Sequence, residues 1–218
     1  MGISIYKVER WKTPVSNYPQ KQLHNIRIAK KKYKRGLYYM EGVNGYDFFQ
    51  VVKPITITIL QERREKRWHD WMVDDPLHTF GMMGLADNSE GKVLVAGLGL
   101  GIIVHYLVQN PKVKQIDVVE INKNVIELIK PLLPKSRKLK IIHDNFYRYL
   151  QNTTKEYDTI IVDLWVGKGN RKMLLEMLTC YYRVRIKYPK AKIFIWGIRN
   201  SKLNPAVTKE NVVYANWR

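Results

Sequence analysis

The chain has almost no cysteine: one, Cys180, among 218 residues. A lone cysteine excludes an internal disulfide and a cysteine-based metal site. Its place beside Leu178 and Tyr181 in a helix-period stretch predicts a buried structural thiol rather than a nucleophile. Histidines number five (His24, His69, His78, His105 and His143). None stand at the H-x-x-x-H or H-x-H spacings that set two imidazoles on one metal, so no metal site is predicted. Long apolar runs are also missing. The longest, Val93 to Val108, is broken by three glycines and a histidine and is shorter than a bilayer span. No apolar leader precedes Trp11. These absences predict a cytoplasmic protein without membrane contact. Negative charge is scarce as well: 19 Asp and Glu stand against 38 Lys and Arg, a formal net charge of +19. Such a balance suits a polyanionic partner such as nucleic acid, because Lys and Arg contacts to phosphate release counterions. A lysine-rich surface common to a whole proteome accounts for it equally. The excess is denser in residues 1–70 (+9) than in 71–218 (+10), and peaks at Lys30-Lys31-Lys32-Tyr33-Lys34-Arg35.

What is present is concentrated between Lys92 and Asn122, KVLVAGLGLGIIVHYLVQNPKVKQIDVVEIN. An apolar strand runs into Gly97-Leu98-Gly99-Leu100-Gly101, a helix-period segment follows, and a second apolar strand ends on Glu120. This is the pattern of a nucleotide-binding βαβ unit. Glycines at the strand-to-helix turn let backbone approach a ligand, and a carboxylate about twenty residues on can accept hydrogen bonds from ribose hydroxyls. The pattern G-x-G-x-G lacks the last glycine of G-x-G-x-x-G, whose helix N-terminus receives a pyrophosphate. It therefore favours S-adenosylmethionine, which has no phosphate, over NAD.

The alternation continues with predicted helices over 122–133, 145–150 and 171–187 and strands over 139–142, 159–163 and 192–196. Five strands separated by helices predict an α/β fold with a Rossmann-like, doubly wound parallel sheet, short at its C-terminal end, with Val212 to Tyr214 as a candidate edge strand. At 218 residues one such core and a small appendage fit. Residues 1–35 read as a basic, loosely docked arm. Residues 36–73 read as a small antiparallel sheet of about four strands, with Asn44-Gly45 as a hairpin turn. Residues 74–218 form the cofactor-binding domain, opened by a helix whose start is marked by Asp74-Asp75-Pro76.

Ligands of such sheets bind at the carboxyl ends of the strands. Those ends carry Gly97, Gly99 and Gly101, then Glu120 with Ile121, Asp144 with Asn145, and Asp163. With 19 carboxylates in 218 positions, about one in eleven, three acidic strand ends in a row exceed chance. Glu120 is assigned to the ribose, Asp144 and Asn145 to the adenine amino group, and Asp163 to the sulfonium and substrate. Asp144 also suits a helix N-cap. Asp163 is the candidate base, with His78 as the alternative if its helix folds over the pocket as a lid. Asp74, Asp75, Trp71 and Trp165 are the expected substrate contacts.

The series VLVAGLGLG, VVEIN, IIHDN and DTIIVDLW resembles the S-adenosylmethionine-dependent methyltransferase superfamily. Within it, VVEINKNVIEL and the DDPLHT segment ahead of the core resemble the spermidine synthase, or aminopropyltransferase, branch, over residues 55–200. The resemblance implies a donor derived from S-adenosylmethionine, bound by the residues just named. Three positions depart from the branch. Leu100 stands where its glycine loop carries an acidic residue. Asp163-Leu164-Trp165 offers one aspartate where the branch offers two. His78-Thr79-Phe80 replaces a Tyr-His/Gln-Glu triplet. With the +19 charge, which disfavours encounter with a polyamine, these departures predict methyl transfer to an undefined small-molecule or nucleic-acid acceptor, with aminopropyl transfer in polyamine synthesis, or nucleic-acid binding on a non-catalytic methyltransferase fold, as the alternatives. Self-association is left open.

Overall fold

A computed structural model of the protein describes residues 6–42, 45–165 and 171–196. Its centre is a five-stranded, all-parallel sheet of β8 (Gly91–Ala96), β9 (Val113–Glu120), β10 (Leu139–His143), β11 (Thr159–Val162) and β12 (Lys192–Ile195), in the order β10-β9-β8-β11-β12. This is the doubly wound α/β arrangement that the alternating pattern predicts, and the order reverses beside β8. The alternation within β8 shows why the sheet is buried on both sides. Val93 and Val95 face one apolar cluster with Ile103, Val104 and Leu107, while Leu94 and Ala96 face another with Ile160, Tyr181 and Val184. Successive side chains of a strand point to opposite faces, so a strand covered on both must be apolar throughout.

Helices α1 (Pro76–Asp87), α2 (Ile102–Gln109) and α3 (Lys123–Ile129) contribute to the first cluster; α4 (Phe146–Asn152) and α5 (Arg171–Lys187) contribute to the second. Cys180 is fully buried there, where burial pushes its thiol up to about 11, in keeping with a structural role. Lys187, in the last turn of α5, donates from Nζ to the carbonyls of Leu150 and Thr153, closing the C-terminal end of α4. None of the helices is long and apolar enough to cross a membrane among the described residues.

The N-terminal third corrects the expected division. The described residues 6–35 are not a loose arm: the chain already forms β1 (Tyr6–Val8), β2 (Lys21–Leu23) and β3 (Ile26–Tyr33), and Val15, Ile26 and Ile28 are core residues. Nor do residues 36–73 make one sheet. The hairpin of β4 (Gly36–Gly42) and β5 (Gly45–Val51) takes β1 as a parallel partner. The pair β6 (Ile55–Arg64) and β7 (Arg67–Val73) joins β2 and β3 instead, in the order β2-β3-β6-β7. β4 and β5 pair as far as Gly42 and Gly45; the expected Asn44-Gly45 turn falls on residues 43–44, which lie outside the described residues, as does the Val212–Tyr214 edge. The basic peak is held in β3: Lys30 donates to Ser16 O and Thr58 Oγ1, and Lys31 pairs with Asp70 at 2.7 Å.

Asp74 and Asp75 tie this region to the core. Asp74 is fully buried, with one carboxylate oxygen accepting from Thr13 Oγ1 and the other from Thr79 Oγ1, both at 2.7 Å. Asp75 is the N-cap of α1, accepting from the His78 N–H. Burial raises both carboxyls to about 6. Neither lines the cavity described below, so the expected substrate contacts at Asp74 and Asp75 are corrected to structural ones.

Candidate active site

A cavity of about 250 Å³ opens where the carboxyl ends of β8, β9, β10 and β11 converge. The structure brings most of the expected residues onto its walls: Gly97, Gly99, Glu120, Ile121, Asp144, Asn145 and Asp163 from the parallel sheet, Trp71 from β7, His78 from α1, and Trp165 after β11. Besides Asp74 and Asp75, the exception is Gly101. It stands away from the cavity as the N-cap of α2, with φ +72° and a space in which a Cβ would lie 2.4 Å from Leu133 Cδ2. Its role is packing of the turn, which corrects the expected ligand contact. Gly101→Ala is expected to destabilise the protein by about 1–3 kcal/mol through left-handed backbone and overpacking, read as a lower Tm.

Gly97 and Gly99 have the predicted reason to be glycine. Both have positive φ, and a Cβ would meet the Asp163 carbonyl oxygen at 2.3 Å or the Met72 sulfur at 2.3 Å. The turn they form is fixed by its own amides. Gly97 N–H donates to Val119 O, Leu98 N–H to Glu120 Oε2, Leu100 N–H to Met72 Sδ and Gly101 N–H to Leu98 O. Met72 is a wall residue that sequence reasoning missed. The end of β7 is evenly half-buried rather than alternating, and its pairing with β6 shifts register there, so no local period marked it.

Glu120 is nearly buried, and its second oxygen accepts from Asn122 N–H at 2.8 Å. Both oxygens are thus pinned by backbone, each keeping a lone pair for a ligand. Asp144 is engaged on one side, since its Oδ1 accepts from Asn145 N–H and pairs with Arg148. Asn145, not Asp144, is the N-cap of α4, accepting from the N–H groups of Tyr147 and Arg148. Asp163 differs from both. No hydrogen bond reaches its carboxyl among the described residues, and burial together with the charge of Glu120 pushes it up to about 7.

His78 forms part of the wall and is not a lid. Its backbone is held by the Asp75 cap, and its ring lies against Trp196 with centroids 4.7 Å apart. Nε2 is enclosed and has no hydrogen-bond partner among the described residues, and burial lowers the imidazole to about 4. An orphaned buried nitrogen of this kind costs roughly 1–3 kcal/mol.

Comparison with known proteins now adds a sequence-level link. The family model of the spermine/spermidine synthase domain matches residues 77–188, from α1 through α5. The chain belongs to this family. Two relatives are polyamine aminopropyltransferases: that of Methanocaldococcus jannaschii is 28% identical over 177 residues, covering 78% of this chain and 58% of the relative. That of Clostridium botulinum (strain Alaska E43 / Type E3) is 30% identical over 113 residues, 49% and 37% of the two chains. This chain therefore spans about half the length of such relatives. Among solved structures, spermidine synthase from Thermotoga maritima matches with a TM-score of 0.37 and 17% identity, over 61% of this chain and 55% of that one. Human methyltransferase-like protein 13 in complex with SAH matches with a TM-score of 0.37 and 18% identity, over 54% and 60%. Membership of the spermine/spermidine synthase family overturns the expectation of methyl transfer: the named relatives are aminopropyltransferases. The departures at Leu100 and after Asp163 do not move the chain out of the family.

Proposed function

We propose that the cavity binds decarboxylated S-adenosylmethionine and transfers its aminopropyl group to a primary amine. The observation that carries this reading is the charge of the walls. On a chain of net charge +19, the charged side chains lining the cavity are Glu120, Asp144 and Asp163, with no Lys or Arg among the described residues. A donor bearing a sulfonium and an ammonium but no carboxylate suits such walls, and so does an amine acceptor. The family relationship supports the same chemistry.

The residues divide the work by position. Glu120 faces the ribose hydroxyls, Asp144 and Asn145 the adenine, and Gly97 and Gly99 let the adenosyl chain lie close to backbone. The acceptor nitrogen attacks the methylene carbon bound to sulfur. The new N–C bond forms as the C–S pair withdraws onto sulfur, leaving a neutral thioether. The proton of the resulting secondary ammonium passes to Asp163, whose raised affinity for a proton suits a base working near neutrality. Leu100, where the family resemblance leads one to expect an acidic residue, is wholly buried in the core, so the glycine turn adds no charge.

The test is donor selection followed by product analysis. A donor carboxylate placed roughly 6 Å from one wall carboxylate at an effective dielectric of 20 costs about 3 kcal/mol. Decarboxylated S-adenosylmethionine is therefore expected to bind at least about 100-fold more tightly than the carboxylated form by calorimetry. With putrescine present it should yield an aminopropylated product. Equal affinity for the two donors, or absence of that product, would sink the reading.

A further inference from the structure

The carboxylates of the cavity are not spread evenly around it. In the strand order β10-β9-β8-β11-β12, Asp144 follows β10 and Glu120 ends β9, both on one side of the glycine turn that leaves β8, while Asp163 follows β11 on the other. Neighbouring strands lie roughly 4.8 Å apart, so β11 runs roughly 10 Å from the strand of Glu120 and roughly 14 Å from that of Asp144. Asp144 is already answered by Arg148, and the oxygens of Glu120 by two backbone N–H groups. Past Asp163 the next strand end is Trp196, whose N–H donates to Val162 O and whose ring lies against His78. Leu164 and Trp165, which follow Asp163 into the wall, are apolar. The wall contributed from outside the parallel sheet, Leu60, Trp71 and Met72 together with His78, adds no charge, since burial keeps the imidazole neutral.

Resting on the aminopropyl-transfer reading above, we propose that the acceptor is a monoamine with an apolar tail, laid against Leu164 and Trp165, rather than a diamine. The count of charges supplies the argument. The donor brings a sulfonium and an ammonium to the side of the cavity where, among the described residues, Asp163 is the sole carboxylate. A diamine that attacks through one nitrogen keeps the other as an ammonium, which sets three cations against one carboxylate. Asp163 is itself neutralised when it takes the proton released after the N–C bond has formed, so the second ammonium then has no counter-charge on that side. An indole face attracts an ammonium, but by less than the cost of burying the ion away from water and counter-charge. A methyl group in the same place gains from burial instead.

Pentylamine and putrescine have the same number of heavy atoms and differ only at one end, methyl against ammonium, so the pair isolates that end. With wild type and the decarboxylated donor, kcat/KM per neutral attacking amine is expected to be about 10- to 100-fold higher for pentylamine, with putrescine still turned over. Trp165→Glu sets a carboxylate where the tail lies and should cut this ratio by about 10-fold or more through a gain for putrescine. Trp165→Leu, which keeps the surface apolar, should retain the preference. A wild-type ratio near one or below, or equal ratios in Trp165→Glu and Trp165→Leu, overturns the proposal; where Trp165→Glu does not fold, the wild-type ratio decides alone. If wild type forms no product with either amine, the reaction reading fails. The tail site is then read separately, by calorimetry of the two amines in the presence of 5′-methylthioadenosine. Tighter binding of pentylamine upholds it, and equal or tighter binding of putrescine overturns it there too.

Discussion

Asp163→Asn is expected to lower kcat/KM by about 10²- to 10⁴-fold, the range for loss of a positioned base, while leaving the adenosyl contacts in place. The wild-type pH profile should identify the same group. Glu120, Asp144 and His78 share the cavity with Asp163, and the imidazole, lowered to about 4, is neutral in the relevant range. With the Asp163 carboxyl raised to about 7, kcat/KM expressed per neutral amine should climb with pH and level off above about 7, and this limb should vanish in the asparagine variant. Stability supplies an independent check of opposite sign. A carboxyl whose folded pKa exceeds its unfolded value of about 3.9 favours the folded state at low pH. That contribution is lost as pH rises through the folded value. The unliganded Asp163→Asn protein should therefore gain Tm over wild type increasingly from about pH 4, with the gain levelling off above about 7. A gain that is flat with pH would mean that the carboxyl is not held protonated by its surroundings.

Glu120→Ala should weaken donor binding by about 10²- to 10⁴-fold, since two hydrogen bonds from ribose hydroxyls to a carboxylate are each worth roughly 1.5–3 kcal/mol. It should also lower Tm. Its oxygens hold the N–H groups of Leu98 and Asn122, and the variant leaves both without an acceptor. Calorimetry with the decarboxylated donor separates the two effects when done well below the variant's Tm. Unchanged affinity there would limit Glu120 to fixing the turn.

The sequence made the parallel sheet legible because each of its elements announces itself locally. Val93–Ala96 of β8 and Ile160–Val162 of β11 are unbroken apolar runs, and the helix over 171–187 coincides with α5. The acidic strand ends were legible for the same reason, a carboxylate being unusual at the end of an apolar strand in a basic chain. The N-terminal sheet was not. β3 pairs with β6 across the whole β4–β5 hairpin, and no local period reports a partner so distant in sequence. Within β3 the lysines hid an alternation in which Ile26 and Ile28 are buried, and Lys30 is spent on Ser16 and Thr58 rather than on a phosphate. Asp74 and Asp75 misled because a carboxylate before a helix reads alike whether it caps the chain or meets a ligand. Only the hydroxyls of Thr13 and Thr79, the first of them 61 residues from Asp74, decide between the two. The reaction class was misjudged because absent carboxylates were weighed above the branch resemblance.

The glycine turn bears on competition among adenosine ligands inside a cell. Gly97, Leu98, Leu100 and Gly101 each direct an N–H to an acceptor within the protein. ATP, NAD and flavin dinucleotides are held at glycine-rich turns through phosphate oxygens that need such donors. To use these four donors, such phosphates would have to displace acceptors within the protein, stripping Leu98 from Glu120 or Leu100 from the Met72 sulfur, and they would bring several negative charges among carboxylates. Under the proposed function, these four amides of the turn thus disfavour the abundant phosphorylated adenosines by being already engaged within the protein.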